Sequence, residues 1–279
     1  MQSRHRFVLD EPEVPFELTI LYKDENIIVV DKPHFLATTP RGMWYRQTAL
    51  IRLRERFEES QITPAHRLDR LTAGVVLFVR NPALRRDYQM LFQEHRVMKT
   101  YECLAPSKPV IRPKTGTVER LDPPAVFPLK RRSHIVKDRG RLQAYEIPGV
   151  VNAETVIELA DTIGNDGADA LSSSGGNDVC NDSRHQHLSK RGTVSHSGVG
   201  LVGPYRRYVL HPRTGKTHQL RVHMNSLGLP IKGDDLYPNV IEPNYSDFSH
   251  PLQLVARSLS FIDPVSQEPC MFVSRVPLV

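Results

Sequence analysis

The stretch His66-Arg-Leu-Asp-Arg-Leu-Thr-Ala-Gly-Val-Val-Leu-Phe-Val79 changes character halfway along. Its second half, Val75 to Val79, is an unbroken apolar run rich in β-branched residues, which favours a buried strand over a turn of helix. The preceding residues, Pro64 to Gly74, are therefore a loop feeding that strand. The loop sets a single carboxylate, Asp69, between Arg67 and Arg70, and flanking guanidinium groups favour its ionised form. Such a loop is either a turn held by salt bridges or a carboxylate kept charged for nucleophilic or general-base work.

Outward from this strand, Leu18-Thr-Ile-Leu-Tyr22 and Ile27-Ile-Val-Val30 flank a polar turn and read as a hairpin closed by Pro33. Thr48 to Ser60 spaces Leu50, Leu53 and Phe57 as one face of a helix, and Asn81-Pro82 opens another with Leu84, Tyr88, Leu91 and Phe92 on its stripe. Further strands are predicted at Thr100–Ala105, Gly116–Leu121, Arg141–Ile147, Thr155–Leu159, Tyr205–His211, Leu252–Ala256 and Met271–Val276. Many strands, often consecutive, with few helices predict an α+β fold on a largely antiparallel mixed sheet with flanking helices. Residues 1–16 read as a surface arm and 17–279 as one domain. From about 161 to 203 the chain is loaded with Gly, Ser, Asn and Asp, and is expected to be a disordered insertion too poor in apolar groups to offset its ordering entropy.

The chain has 279 residues, 37 Lys+Arg against 31 Asp+Glu, and a net charge of +6. A hydrophobic fraction of 39% can build a large core, while no apolar run approaches the roughly 18 residues of a membrane span. Three widely spaced cysteines, Cys103, Cys180 and Cys270, make neither a disulfide framework nor a zinc knuckle. These features, with an N-terminus that opens no signal peptide, predict a cytoplasmic monomer away from membranes, and the excess positive charge favours a polyanionic partner.

Three apparent motifs lack their context. Gly198-Val-Gly-Leu-Val-Gly203 follows Ser-rich coil instead of a strand. Gly215-Lys-Thr217 has Leu210 where a phosphate loop needs glycine. His218 and His223 are five apart, one too many for a helical zinc pair, and no metal site is expected.

A second unusual segment is His211-Pro-Arg-Thr-Gly-Lys-Thr-His-Gln-Leu-Arg-Val-His223. Leu220, Met224 and Leu227 follow helical spacing, Thr217 is placed to cap the start, and Gly228 with Pro230 ends the run. His218, Arg221 and Asn225 then share another stripe, and with Lys216 they form an anion-facing surface at a helix start.

Together these segments resemble the RluA-type family of pseudouridine synthases. The resemblance runs in order through Tyr22-Lys-Asp-Glu-Asn-Ile-Ile-Val-Val-Asp-Lys-Pro33, His66-Arg-Leu-Asp-Arg-Leu-Thr-Ala-Gly74, Lys99-Thr-Tyr101, Thr214 to His223, Ile231-Lys-Gly-Asp234 with Tyr237, and Leu254 to Leu259. It departs after Pro33, where the family usually has a small residue and Gly and this chain has His34-Phe35. The 16 residues before the first strand cannot hold the S4 RNA-binding module that some relatives carry.

The resemblance implies a pseudouridine synthase fold with a central RNA-binding cleft, and isomerisation of selected uridines in rRNA or tRNA without a cofactor. Asp69 would be the nucleophile, or the base that starts elimination. Arg221 would pair with Asp69. Tyr101 would stack on the base and its hydroxyl would move the C5 proton, while Arg67 would reach the extruded nucleotide. His66, Arg70, Lys216 and His218 would contact the substrate, with Arg41, Arg46, Arg52, Arg54, Arg131, Arg132, Arg206 and Arg207 as candidate phosphate contacts. The alternatives are a catalytically inactive RNA-binding protein of the same fold, and a metal-dependent nuclease using His218, His223, Asp234 and Asp235.

Overall fold

The computed structural model describes residues 11–160, 201–202, 204–242 and 244–279. Among them thirteen strands form one sheet. Its main path runs through β1 (Thr19–Lys23), β2 (Ile27–Lys32), β4 (Ala73–Val79), β12 (Leu254–Ile262), β5 (Met98–Pro106), β11 (Tyr205–Pro212), β9 (Ala153–Leu159), β7 (Leu129–Val136) and β6 (Thr117–Arg120). Four shorter strands join its flanks: β3 (Thr63–Pro64) on β4, β8 (Tyr145–Ile147) on β7, β10 (Leu201–Val202) on β11 and β13 (Pro269–Val273) on β12. All pairings are antiparallel except β4 with β12, in agreement with the mixed, largely antiparallel sheet read from the sequence.

The apolar run of β4 is buried on both faces because each face carries a helix. Val76 and Phe78 pack with Leu50 and Leu53 of α1 (Ala49–Phe57), whereas Val75, Leu77 and Val79 pack with Tyr88 and Leu91 of α2 (Arg85–Gln93). Burying one such side chain is worth about 1.5–3 kcal/mol, so this two-sided packing makes the strand a fixed reference for the loop before it. Thr48 caps α1, its hydroxyl accepting from the Ile51 amide at 3.3 Å, and Asn81 caps the turn leading into α2 by accepting from the Ala83 amide at 3.1 Å. The third helix, α3 (Gln219–Ser226), lies on the α1 face and buries Leu220 and Met224 in the same core.

The one parallel contact decides where Asp69 sits. Val255 and Ala256 register with Ala73 and Gly74. Gly74 has φ +116°, and a Cβ built there would collide with the Ala256 carbonyl, so the two backbones meet this closely only at glycine. Asp69 lies five residues before Gly74, in the loop that enters this junction.

β7 escaped the sequence reading. It alternates faithfully, with Leu129, Arg131, Ser133 and Ile135 inward, but two of these four inward residues are polar. Arg131 is fully buried; its Nη2 reaches both oxygens of Glu146 at 2.7 Å and the Thr115 carbonyl at 2.8 Å, and its Nη1 meets the Arg132 carbonyl at 2.6 Å. It is therefore a structural strut rather than a phosphate contact. Arg52 donates to the Val14 and Phe16 carbonyls and Arg54 to the Ile62 carbonyl, and Arg132 pairs with Glu154 at 2.6 Å. These arginines also serve the fold. The predicted strand Arg141–Ile147 is shorter, with only Tyr145–Ile147 paired, because Arg141 lies in the loop lining the cleft. Residues 1–10 of the expected arm lie outside the described residues, as does the expected insertion at 161–203 apart from Leu201–Val202, which pair with Arg206 and Tyr205, and Gly203 is likewise not described.

Candidate active site

A cleft of about 1190 Å³ opens at the Asp69 loop. Its walls come from residues 65–72, from Lys99 and Tyr101 of β5, from the 137–142 loop, and from the entry to α3. The loop is pinned along its backbone. Thr38 Oγ1 donates to the Leu68 carbonyl at 2.8 Å and accepts from the Leu68 amide at 3.1 Å. The Lys32 ammonium, fully buried, donates to the Leu36 carbonyl at 2.7 Å and the Arg70 carbonyl at 3.3 Å, and His34 Nδ1 donates to the Leu71 carbonyl at 2.8 Å. Burial pulls Lys32 down to about 7, with the Asp69 carboxylate opposing that fall. Asp69 itself keeps 37% of its side chain exposed, presented to the cleft by a rigid frame.

Of the predicted residues, Asp69, Arg67, Arg70, His66, Tyr101, Lys216, His218 and Arg221 all line this cleft. Arg67 and Lys216 are exposed on its rim. The Arg70 guanidinium lies 5.3 Å from the centroids of both Trp44 and Tyr245. His66 serves the wall: its ring stacks on Phe92 at 4.3 Å and its Nε2 accepts from the Leu77 amide, while burial pushes it down to about 3. Burial, reinforced by the Asp69 carboxylate, pushes the Tyr101 phenol above its ordinary range, so the hydroxyl is held protonated.

The expected Arg221–Asp69 pair is replaced by another. Arg221 Nε and Nη2 meet the two oxygens of Asp234 at 2.8 and 2.5 Å, and Nη2 reaches Asp235 at 2.9 Å. The side chain nearest Asp69 among the ion pairs is His218, its Nε2 3.9 Å from Oδ2. This arises because α3 starts one residue later than the sequence suggests. His218, not Thr217, is the capping residue, with φ +56°, and it swings its imidazole into the cleft. No side chain caps the start of α3, and Gln219 instead ties the preceding loop to the helix. Its Oε1 accepts from the Thr214 hydroxyl at 2.7 Å and the Lys216 amide at 3.1 Å, while its Nε2 donates to the Glu154 carbonyl at 2.9 Å. Lys32, Gln219 and Tyr237 carry the site without having been assigned a role from sequence; all three lie within the quoted motifs, but their partners are remote.

Arg206 lines a separate cavity of about 1090 Å³ with Tyr208, Phe127 and Val110, and alternation turns Arg207 to the other sheet face. The residues of the nuclease alternative are otherwise engaged: His223 is buried between Thr155 and Ser133 at 2.9 and 3.0 Å, and Asp234 belongs to Arg221. Among the described residues, no three His, Cys, Asp or Glu side chains converge as a metal-binding group, and no helix is long and apolar enough to cross a membrane.

The profile of the RNA pseudouridylate synthase family matches residues 26–226. The chain belongs to that family, and to its RluA type. A dual-specificity RNA pseudouridine synthase RluA of Pasteurella multocida is 26% identical over 262 residues, covering 92% of each chain. An uncharacterised RNA pseudouridine synthase of Synechocystis sp. is 28% identical over 228 residues, or 81% of this chain, which spans 60% of that protein's length. The solved structure of human RNA pseudouridylate synthase domain containing 1 shares the fold, with a TM-score of 0.59 at 19% identity over 97% of this chain and 88% of that one.

Proposed function

We propose that this protein isomerises specific uridines of rRNA or tRNA to pseudouridine, with Asp69 as the carboxylate that attends the glycosidic bond. The observation that carries this reading is the position of Asp69: a part-exposed carboxylate on an immobilised loop, in a cleft rimmed by Arg67 and Lys216. The names of the relatives, an RNA pseudouridine synthase in each case, support the same reaction class.

The reaction breaks N1–C1′, turns the uracil and joins C5 to C1′, so it needs neither redox change nor external energy. Asp69 suits the first step as nucleophile at C1′ or as base for elimination, because a carboxylate is charged at neutral pH and a competent leaving group afterwards. The rim cations meet phosphates and the Tyr101 ring lies against the base. The uridine enters extruded from its stack, since a paired base hides the sugar–base bond, and Arg67 stands where the vacated space would be filled. Arg221 acts at one remove, anchored on Asp234 with its charge still felt at Asp69.

Pseudouridine mapping of total RNA incubated with the purified protein tests this reading. Wild type is expected to modify a defined uridine, and Asp69→Asn, which keeps shape and removes the ionised oxygen, is expected to bind RNA normally without turnover. Modification by Asp69→Asn within tenfold of wild type would overturn the assignment.

A further inference from the structure

We propose that a second groove, at the opposite end of β5 and β11 from the cleft, binds the RNA several nucleotides away from the target uridine. The proposal rests on the isomerase reading above and extends it from the target base to its flank. The groove is the cavity of about 1090 Å³ that Arg206 lines. Its lining includes four cations, Lys108, Arg112, Arg120 and Arg206, and no carboxylate. The same lining holds apolar groups that the fold leaves open to water: Ile111 is 56% exposed, Val126 41% and Val118 37%, beside a half-buried Phe127 ring.

These cations are not spent on the fold. A structural arginine of this protein, Arg131, meets Glu146 and the Thr115 carbonyl. Among the described residues, the side chains of Lys108, Arg112 and Arg206 make no ion pair and no hydrogen bond, and that of Arg120 meets only the Pro124 carbonyl at 3.5 Å. Cations gathered without counter-charges favour a polyanion from outside the chain.

β11 connects this groove to the active site. Arg206 lies near its start, and Pro212 at its end leads into Thr214 and Lys216 of the cleft wall. The six residue steps between Arg206 and Pro212, at about 3.4 Å each, span about 20 Å. Both openings use one face of the sheet: Tyr208 in the groove and Leu210 alternate onto the same side, and Leu210 registers with Tyr101 in the cleft. α3 joins them as well, with His218 of the cleft at its start and Leu227 at its end, where the Leu227 carbonyl accepts from the Ile111 amide at 3.0 Å.

An RNA with its uridine at Asp69 reaches the groove by continuing along this face. The second contact is intramolecular once the first is made, so the groove adds affinity without a further association cost. Phosphates suit the guanidinium forks of Arg112, Arg120 and Arg206, and unpaired bases suit the apolar side chains of the lining. An acidic peptide would satisfy the same charges, but the RNA is the polyanion that the cleft already holds beside the groove.

The test measures turnover and filter binding with the full transcript carrying the mapped uridine. Arg112→Gln combined with Arg206→Gln is expected to raise KM about tenfold, to leave kcat and the melting temperature unchanged, and to reduce the salt slope of binding by about 1.4, at about 0.7 per phosphate. Cutting the RNA back to about five nucleotides centred on the uridine is expected to weaken wild type and erase its advantage over the double variant. A photoreactive nucleotide placed several positions from the uridine is expected to cross-link within residues 107–127. Unchanged KM and salt slope on the full transcript, or cross-links confined to the cleft, would overturn the proposal. A Glu-rich peptide that binds wild type and not the double variant, with KM for the full transcript unchanged, would assign the groove to an acidic protein segment and overturn it too. Absence of Asp69-dependent pseudouridine, with RNA binding still dependent on Arg112 and Arg206, would instead overturn the isomerase reading and leave the groove in place.

Discussion

Arg221 and Asp234 form a two-point ion pair under the floor of the cleft, with side chains only 3% and 0% exposed. Asp234 also accepts from the Leu236 and Tyr237 amides, so its carboxylate sets the turn that brings Tyr237 to His218. Breaking a buried pair by removing one partner leaves an uncompensated charge and costs about 3–5 kcal/mol. Asp234→Ala is therefore expected to lower the melting temperature sharply, and Arg221→Ala to lose both stability and turnover. The salt dependence of RNA binding should stay unchanged in Arg221→Ala, because a guanidinium this deeply buried meets no phosphate. A slope reduced by one phosphate's worth would place Arg221 on the RNA backbone instead.

Phe35 occupies a left-handed conformation, φ +65°, a region that favours glycine. Such a backbone costs an L-residue about 1–2 kcal/mol, offset here by packing against Phe16 and Phe248, with ring centroids 6.1 and 5.2 Å away. Both Phe35→Ala and Phe35→Gly lose the packing, but only glycine releases the strain. Urea denaturation is expected to rank wild type above Phe35→Gly and Phe35→Gly above Phe35→Ala. The reverse order of the two variants would show that the loop relaxes around alanine.

Gly74→Ala combines a positive φ with a clash against the Ala256 carbonyl at the parallel junction. The substitution is expected to cost at least about 1–3 kcal/mol and to reduce turnover further, since the same junction positions Asp69. Wild-type melting and activity in this variant would show that β4 and β12 can separate without moving the loop.

Acid should weaken the fold through two histidines. Burial holds both His66 and His223 down to about 3, whereas an unfolded histidine titrates near about 6.5. Between these values the unfolded chain binds more protons, so their contribution is complete above the upper value and is lost as pH falls toward the lower. Chemical denaturation between pH 4 and 7 should show the loss, and His223→Gln should flatten it. An unchanged pH slope in that variant would exclude His223 as a contributor.

The exposed cations of the cleft and the buried arginine of β7 should separate cleanly. Replacing Arg67 and Lys216 together by Gln is expected to reduce the salt slope of RNA binding by about 1.4, at about 0.7 per phosphate on single-stranded RNA, with melting unchanged. Arg131→Gln should lower stability and leave the salt slope alone, because its guanidinium is spent on Glu146 and backbone carbonyls. Filter binding across a salt series with parallel melts distinguishes the two.

Periodicity and propensity are local, and the elements they control were legible in the chain. The two-sided apolar run of β4 marked the sheet centre, Thr48 and Asn81 announced the helices, and the ordered motifs from Tyr22 to Leu259 carried the family resemblance and Asp69 itself. β7 was missed because a strand that buries Arg131 and Ser133 has no apolar alternation to see, and those residues are buried only because Glu146, Thr115 and Ser226 arrive from elsewhere to satisfy them. Pairing at the site was decided in the same way. The sequence set Arg221 and Asp69 in separate motifs and made their attraction plausible, but long-range geometry gives Arg221 to Asp234 and leaves His218 facing Asp69. A charge takes the partner that tertiary packing desolvates with it, and that choice is made by the parallel junction at Gly74, the left-handed turn at His218 and the Asp234 turn, none of which neighbouring residues alone can determine.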